Sequence, residues 1–350
     1  MIREDEQRSL RAAVRRLLTQ RSDSASVRKA IGTGTGFDVE LWRTLCDQIG
    51  VAALAIPERY GGAGASLAET HIVMEELGRT LTPTPLLGSA VLAAQLLLAL
   101  DDAGACERLL PRIAAGEIVA VAWADERGWH DGAARLDDGR LHGTAHYVLD
   151  GDGADAVLVV TPDAVLESAL DSPGVTATRS PAMDPTRRLA TVSFDGAEGT
   201  RVAGDVRAAL ASARDAACVA LSAEQVGAAA RILESTVEYS KVRVQFGRPI
   251  GSFQALKHRM ADLHVLVESA RSASYAAIEG SVPAAVAKAY CSEAFSTVAG
   301  EAIQLHGGIA ITWEHDAHLY FKRAHGSAQL FGDPAEHVGR VAALIGMGHG

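Results

Sequence analysis

Three long series of apolar residues constrain this chain more than any other feature. The first runs Val226, Ala230, Leu233, Val237; the second Phe253, Leu256, Met260, Leu263, Val267, Ala270; the third Ala287, Cys291, Ala294, Val298, Ala302, Leu305. Each steps by three or four residues, the spacing that keeps one stripe of an α-helix facing inward. Many stripe residues are alanine, so the helices can approach closely, and the pattern predicts a tightly packed bundle. Ser252 is placed to cap the second helix, Pro283 to open the third, and the Gly307-Gly308 pair to end it.

Two further textures precede the bundle. Residues 1–117 read as helices joined by turns, with apolar positions three and four apart in Leu10–Leu18, Leu41–Ile49 and Ile72–Leu77. From 118 to 202 the pattern becomes short β-type runs, Ile118–Trp123, His146–Leu149, Ala156–Val160 and Leu189–Phe194, separated by Asp/Gly turns. The predicted organisation is a helical domain at 1–117, a central β-domain at 118–202 and a helical bundle at 203–350. A length of 350 residues is ample for such cores.

Charge and cysteine usage narrow the function. Lys and Arg total 33 against 43 Asp and Glu, a net charge of −10, which is unsuited to tracking nucleic-acid phosphates. Cys46, Cys106, Cys218 and Cys291 form no CxxC pair and read as reduced, buried thiols of a cytoplasmic protein. The N-terminus begins charged and continues as an amphipathic helix rather than as a secretory signal. The apolar stretch Val91–Leu100 contains Gln95 and is too short to cross a bilayer. No membrane role is expected.

Few motifs carry chemistry by themselves. Gly32–Gly36 and Gly61–Gly64 match neither GxGxxG after a strand nor GxxxxGK[ST], and read as loops. Arg243-Val244-Gln245-Phe246-Gly247-Arg248 puts two guanidinium groups at an inter-helix turn, which suits either a phosphorylated ligand or a solvated basic turn. Gln304-Leu305-His306-Gly307-Gly308 reads as close backbone approach to a ligand or as a helix end. Trp313–His318 lacks the HExxH pattern of a zinc site and reads as a polar helix start, so no metal is expected. No GxSxG elbow occurs, and Cys218 in its Ala/Val/Leu context reads as inert.

Taken together and in order, residues 56–79 (IPERYGGAGASLAETHIVMEELGR), 237–263 (VEYSKVRVQFGRPIGSFQALKHRMADL) and 302–324 (AIQLHGGIAITWEHDAHLYFKRA) resemble the acyl-CoA dehydrogenase family over nearly the whole chain. The resemblance implies a mainly α fold with an N-terminal helical domain, a β-barrel-like middle domain and a C-terminal four-helix bundle. It also implies FAD as cofactor, an acyl-CoA substrate oxidised to the 2,3-enoyl-CoA, and an electron-transfer flavoprotein as acceptor. In the family one FAD spans two subunits. Matching motif to motif, its pyrophosphate and adenine end would be held here by Arg243, Gln245, Phe246, Gln254, Gln304, Gly307 and Gly308.

The departures concern the other half of that site. Where the family closes a threonine and a Gly-Ser-Asp turn over the flavin, this chain has Ala122–Trp129 and then His130, and Tyr147-Val148-Leu149 replaces a Trp-Ile-Thr strand. The glutamate base that precedes a glycine in the family is Phe331 before Gly332, and the other family position for the base aligns near Ala217. The arginine that family members often carry on the first bundle helix aligns with Cys218, one turn after Arg214. The pattern implies a helper subunit of a heteromeric enzyme, two subunits of each type, acting on bulky acyl-CoAs such as steroid side chains. Two other readings stand beside it: a self-sufficient homo-oligomer whose base has moved to Asp333, and a non-catalytic scaffold of the same fold.

Overall fold

The spine of the molecule is one helix of 37 residues, Val206–Val242, about 55 Å long at 1.5 Å per residue. The computed structural model describes residues 4–129 and 132–347. Ahead of the spine lie α1 (Glu4–Arg21), α2 (Ser24–Ile31), α3 (Val39–Thr44), α4 (Leu67–Thr80), α5 (Ala94–Leu100) and α6 (Ala103–Ala114). Their starts are written in the sequence. Asp23, Asp38 and Asp102 each accept a backbone N–H of the first turn, and Ser66 with Glu69 forms a capping box on α4.

Among the described residues eight strands follow: β1 (Val119–Ala122), β2 (Ala134–Asp137), β3 (Arg140–Leu149), β4 (Ala156–Val160), β5 (Val165–Ser168), β6 (Val175–Arg179), β7 (Leu189–Ala197) and β8 (Thr200–Val202). They form two four-stranded sheets, ordered β1-β4-β5-β8 and β2-β3-β7-β6, with β1 and β4 parallel. Alternation explains the buried strands. Ala120, Ala122, Val157 and Val159 face the second sheet, against Ala145, Val192 and Phe194. Their neighbours Val119, Val121, Leu158 and Val160 turn the other way, into the core shared with the helices. All four β-type runs expected from the sequence lie on strands, whereas β2, β5, β6 and β8 were not anticipated.

The spine, α7 (Val206–Val242), then packs with α8 (Gln254–Ile278), α9 (Ala284–His306) and α10 (Ala317–Gln329), and α11 (Pro334–Leu344) lies on α9. Between α7 and α8 a small hairpin pairs β9 (Val244–Gln245) with β10 (Arg248–Pro249). The stripes read from the sequence face inward, and every residue of the α9 series from Ala287 to Leu305 is buried. Pro283 is the N-cap of α9 and Gly307, at φ +67°, ends it. Ser252 does not cap α8. It sits in a 3₁₀ turn with its Oγ donating to the Pro249 carbonyl at 2.6 Å, and Phe253 takes the cap position without a side-chain bond. By length and composition α7 could cross a membrane, but 89% of its most apolar stretch is buried within the fold.

The helical layers meet where α4 crosses α7. A Cβ on Gly78 would lie 2.0 Å from the Glu224 carbonyl oxygen, and one on Gly227 would lie 1.9 Å from that of Glu75. Two glycines thus seat each backbone against the other helix. The same two glutamates anchor the rest. Glu75 binds Arg11 of α1 at 2.8 Å, and also Arg271 and Tyr275 of α8. Glu224 binds Arg323 of α10 at 2.6 Å, and also Arg187 just before β7. Replacing Gly227 by alanine forces the helices apart, and we expect a loss of about 3 kcal/mol in urea unfolding, against little change for Gly339→Ala, where a Cβ meets nothing within 4 Å.

Candidate functional site

The RVQFG turn and the LHGG motif meet on one face of the bundle. The hairpin β9–β10 turns at Phe246 and Gly247, with φ of +51° and +77°, the paired positive values of a type I′ turn. Phe246 is thereby pushed outward and is 92% exposed. Behind it lies an open concavity of about 540 Å³ whose wall includes Arg243, Gln245, Phe246, Gln304, Gly307 and Gly308. Six of the seven residues expected to hold a cofactor tail are therefore brought together. The seventh, Gln254, stands beside the wall at the start of α8, 3.4 Å from His258 Nε2.

The concavity offers a cationic side chain, amides and open backbone. Arg243 makes no ion pair among the described residues, while Arg248 lies 3.9 Å over the Phe253 ring. At Gly247, Gly307 and Gly308 an added Cβ would meet nothing within 4 Å, so the backbone presents open faces. One side of the wall is His306, stacked on Tyr239 with centroids 4.5 Å apart and 4.5 Å from the ring of His315. Its Nδ1 lies 2.8 Å from the Ala302 carbonyl, and burial, aided by His315, lowers its pKa. Its Nε2 is buried with no hydrogen-bond partner among the described residues. The residue was not among the expected ligands.

The second region surrounds Phe331, and it is closed. Phe331 sits at φ +62° in the turn between α10 and α11 and is 0% exposed. Its ring packs on Trp129 at 5.0 Å, and Trp129 packs on Trp123 at 5.2 Å and Tyr147 at 6.2 Å. Leu149 and Ala217 belong to the same hydrophobic core. Four donors hold the turn in place. Trp129 Nε1 donates to the Gln329 carbonyl at 2.9 Å, Lys288 Nζ to Ala328 at 2.8 Å, Arg214 Nε to Phe331 at 2.9 Å and His337 Nε2 to Phe331 at 3.1 Å. Arg214 also lies 3.7 Å from Glu336, so its guanidinium is committed inside the fold. His130 lies outside the described residues.

A cavity of about 420 Å³ remains outside this plug, and its carboxylates are already engaged. Asp333 caps α11 by accepting the Glu336 N–H at 2.8 Å. Asp184 accepts from Thr186 and pairs with Arg323 at 2.8 Å. Cys218, 3.9 Å from His337 and pushed up to about 11 by burial, is inert as a nucleophile. All four cysteines are free and buried, and no metal-binding cluster occurs among the described residues.

Residues 4–117 match the N-terminal domain, and residues 208–344 the C-terminal domain, of acyl-CoA dehydrogenases. The chain belongs to the acyl-CoA dehydrogenase family. That family comprises FAD-dependent oxidoreductases acting on the CH–CH bond of acyl-CoA thioesters. The acyl-CoA dehydrogenase IpdE2 of Mycolicibacterium smegmatis is 45% identical over 97% of this chain and 99% of its own. In fold the chain is similar to the ChsE4-ChsE5 complex from Mycobacterium tuberculosis, with TM-score 0.89, 28% identity and coverage of 100% and 99%. It is also similar to the Tcur3481-Tcur3483 steroid ACAD G363A variant, with TM-score 0.86, 29% identity and coverage of 98% of each chain.

The donors around Phe331 make the acyl-CoA dehydrogenase fold of this chain acid-sensitive. Burial, with the charges of Lys288, Arg214 and Arg340, pushes His337 down to about 3. Unfolded, the same imidazole titrates near 6.5, so below that pH the unfolded chain takes up a proton that the folded chain refuses. The stabilisation from a neutral His337 is full above about 6.5 and falls as pH drops toward 3, by roughly 2 kcal/mol between pH 6.5 and 5. Urea unfolding at the two pH values should show this loss, with a shallower slope in His337→Gln.

Proposed function

We propose that this chain is the helper subunit of a heteromeric acyl-CoA dehydrogenase. In this reading its concavity holds the pyrophosphate and adenine end of FAD, and an unlike partner subunit supplies the flavin-ring pocket and the catalytic base. The observation that carries the proposal is the coexistence of an open tail site at Arg243 and Gly308 with an aromatic-filled turn at Phe331. Bound FAD supplies the hydride acceptor for α,β-dehydrogenation of the acyl-CoA.

The residues of this chain have binding roles. Arg243 offers charge-assisted hydrogen bonds to a phosphate, Gln245 and Gln304 offer amides, and Gly307 and Gly308 let backbone approach the cofactor. Phe246 projects far enough to be covered by a second chain. The similarity to the ChsE4-ChsE5 complex supports an unlike partner subunit, and that to the Tcur3481-Tcur3483 steroid ACAD supports a bulky acyl-CoA; the proposed assembly is α2β2. Electron-transfer flavoprotein is the proposed acceptor and the cytoplasm the proposed location. The homomeric alternative is disfavoured because the Asp333 carboxylate is spent on capping α11.

Purification alone and with the partner subunit tests the proposal. The chain alone should be colourless, and the complex should show flavin absorption at one FAD per pair of unlike chains. A yellow protein from this chain alone overturns the reading. In the complex, Arg243→Ala should weaken FAD binding by about 1.5–3 kcal/mol, roughly 10- to 150-fold, as followed by dialysis and absorbance.

A further inference from the structure

The N-terminal helix α1 is held to the fold by charge more than by apolar burial. Of its 18 residues only Val14 and Leu18 are buried, whereas α9 buries 13 of 23. Its anchors are Gln7, Arg11 and Arg15, spaced four apart and so on one helix face. Gln7 Nε2 donates to Glu69 of α4 at 2.8 Å, and Arg11 Nη1 to Glu75 at 2.8 Å and to Glu76 at 2.9 Å. The fork of Arg15 meets both carboxylate oxygens of Glu76, at 2.8 and 2.7 Å. Arg11 also donates to Tyr275 of α8. Glu76 is 1% exposed, and among the described residues its carboxylate has no partner outside α1.

When α1 lifts away, the charges on both sides of this contact return to water. Breaking such pairs costs much less than stranding one charge inside a protein. Glu224 makes the contrast, since its partners Arg187 and Arg323 are themselves buried and the charge there stays inside the fold until whole layers separate. Little apolar surface is lost with α1 either, so its opening is the inexpensive one. We infer that α1 is a strap that opens as a unit while the rest of the fold stays closed, and that the Glu76 carboxylate with Arg11 and Arg15 is its latch. Opening unseals a cleft of about 460 Å³, which Leu18 and Thr19 of α1 close against Arg79, Arg231 and Tyr320. The tail concavity plays no part in it.

The test is hydrogen exchange of the full chain, read by mass spectrometry over Leu10–Leu18 of α1 and over the spine α7. In the unmutated chain the α1 amides should exchange at least about tenfold faster than those of α7. Glu76→Gln keeps the shape and removes the charge, and it should speed α1 by about another tenfold with α7 unchanged. Arg15→Met, at a half-exposed site, should act in the same direction and decides the matter if Glu76→Gln fails to fold. Glu40→Gln removes an equal charge from the exposed pair with Arg43 and should leave α1 alone. Trypsin gives a second reading, because Arg8, Arg11, Arg15, Arg16 and Arg21 all lie on α1. First cuts should fall there, and sooner in Glu76→Gln. If α1 and α7 exchange together in the unmutated chain, α1 opens only by global unfolding and the strap is overturned. If Glu76→Gln speeds both helices alike, or leaves α1 unchanged, the latch is overturned.

Discussion

The crossing of α4 over α7 is the constraint on which the rest of the structure depends. Two glycines, Gly78 and Gly227, bring the helix backbones into contact, and beside them Glu75 and Glu224 are buried. A buried carboxylate must be paired or it costs several kcal/mol. Here each pairing reaches a different part of the chain: α1 and α8 through Glu75, α10 and the segment before β7 through Glu224. The ion pairs therefore act mainly as registry devices, fixing how helices and sheets meet, while the apolar stripes provide the bulk of the attraction.

That registry explains how the two sites come to differ. The concavity at Arg243 is built from the ends of α7 and α9, the hairpin between α7 and α8 and the start of α8, all on the bundle side of the crossing. The filled turn lies at the other side, where α10 ends against the β-sheets. Phe331, with Trp129 and Trp123, replaces there what could have been solvent-accessible space by hydrocarbon and indole. Lys288, lowered to about 8 by burial, donates to the last turn of α10 and helps hold this arrangement. At the two positions where the resemblance implies a carboxylate base, this chain has Phe331 and Ala217 in a packed core.

Much of this was legible in the sequence, for reasons that vary by element. The α9 stripe was readable because its period is unbroken over five turns. The strands β2 and β6 were not, since ARLD and VTATR are short, mostly exposed and carry only two apolar residues each, too few to stand out from the turns around them. The Ser252 cap failed because α8 starts one residue later, with Phe253 in the cap position, and Ser252 belongs to the preceding 3₁₀ turn, its hydroxyl turned back to the Pro249 carbonyl. Phe331 was visible as a missing glutamate, but its union with Trp129 depends on contacts across 200 residues that no local pattern encodes. His306 stood within a motif already singled out. Nothing in the letters reveals that one of its nitrogens lacks a partner.

The hairpin at Phe246 carries a cost for the cell that makes this chain. An aromatic side chain 92% exposed on a narrow turn, with Val242 and Val244 also exposed close by, is an adhesive spot on any copy that leaves it uncovered. In the proposed heteromer, surplus chain would be a substrate for chaperones and proteases, and matched production of the two subunits would be a requirement set by one turn of the backbone.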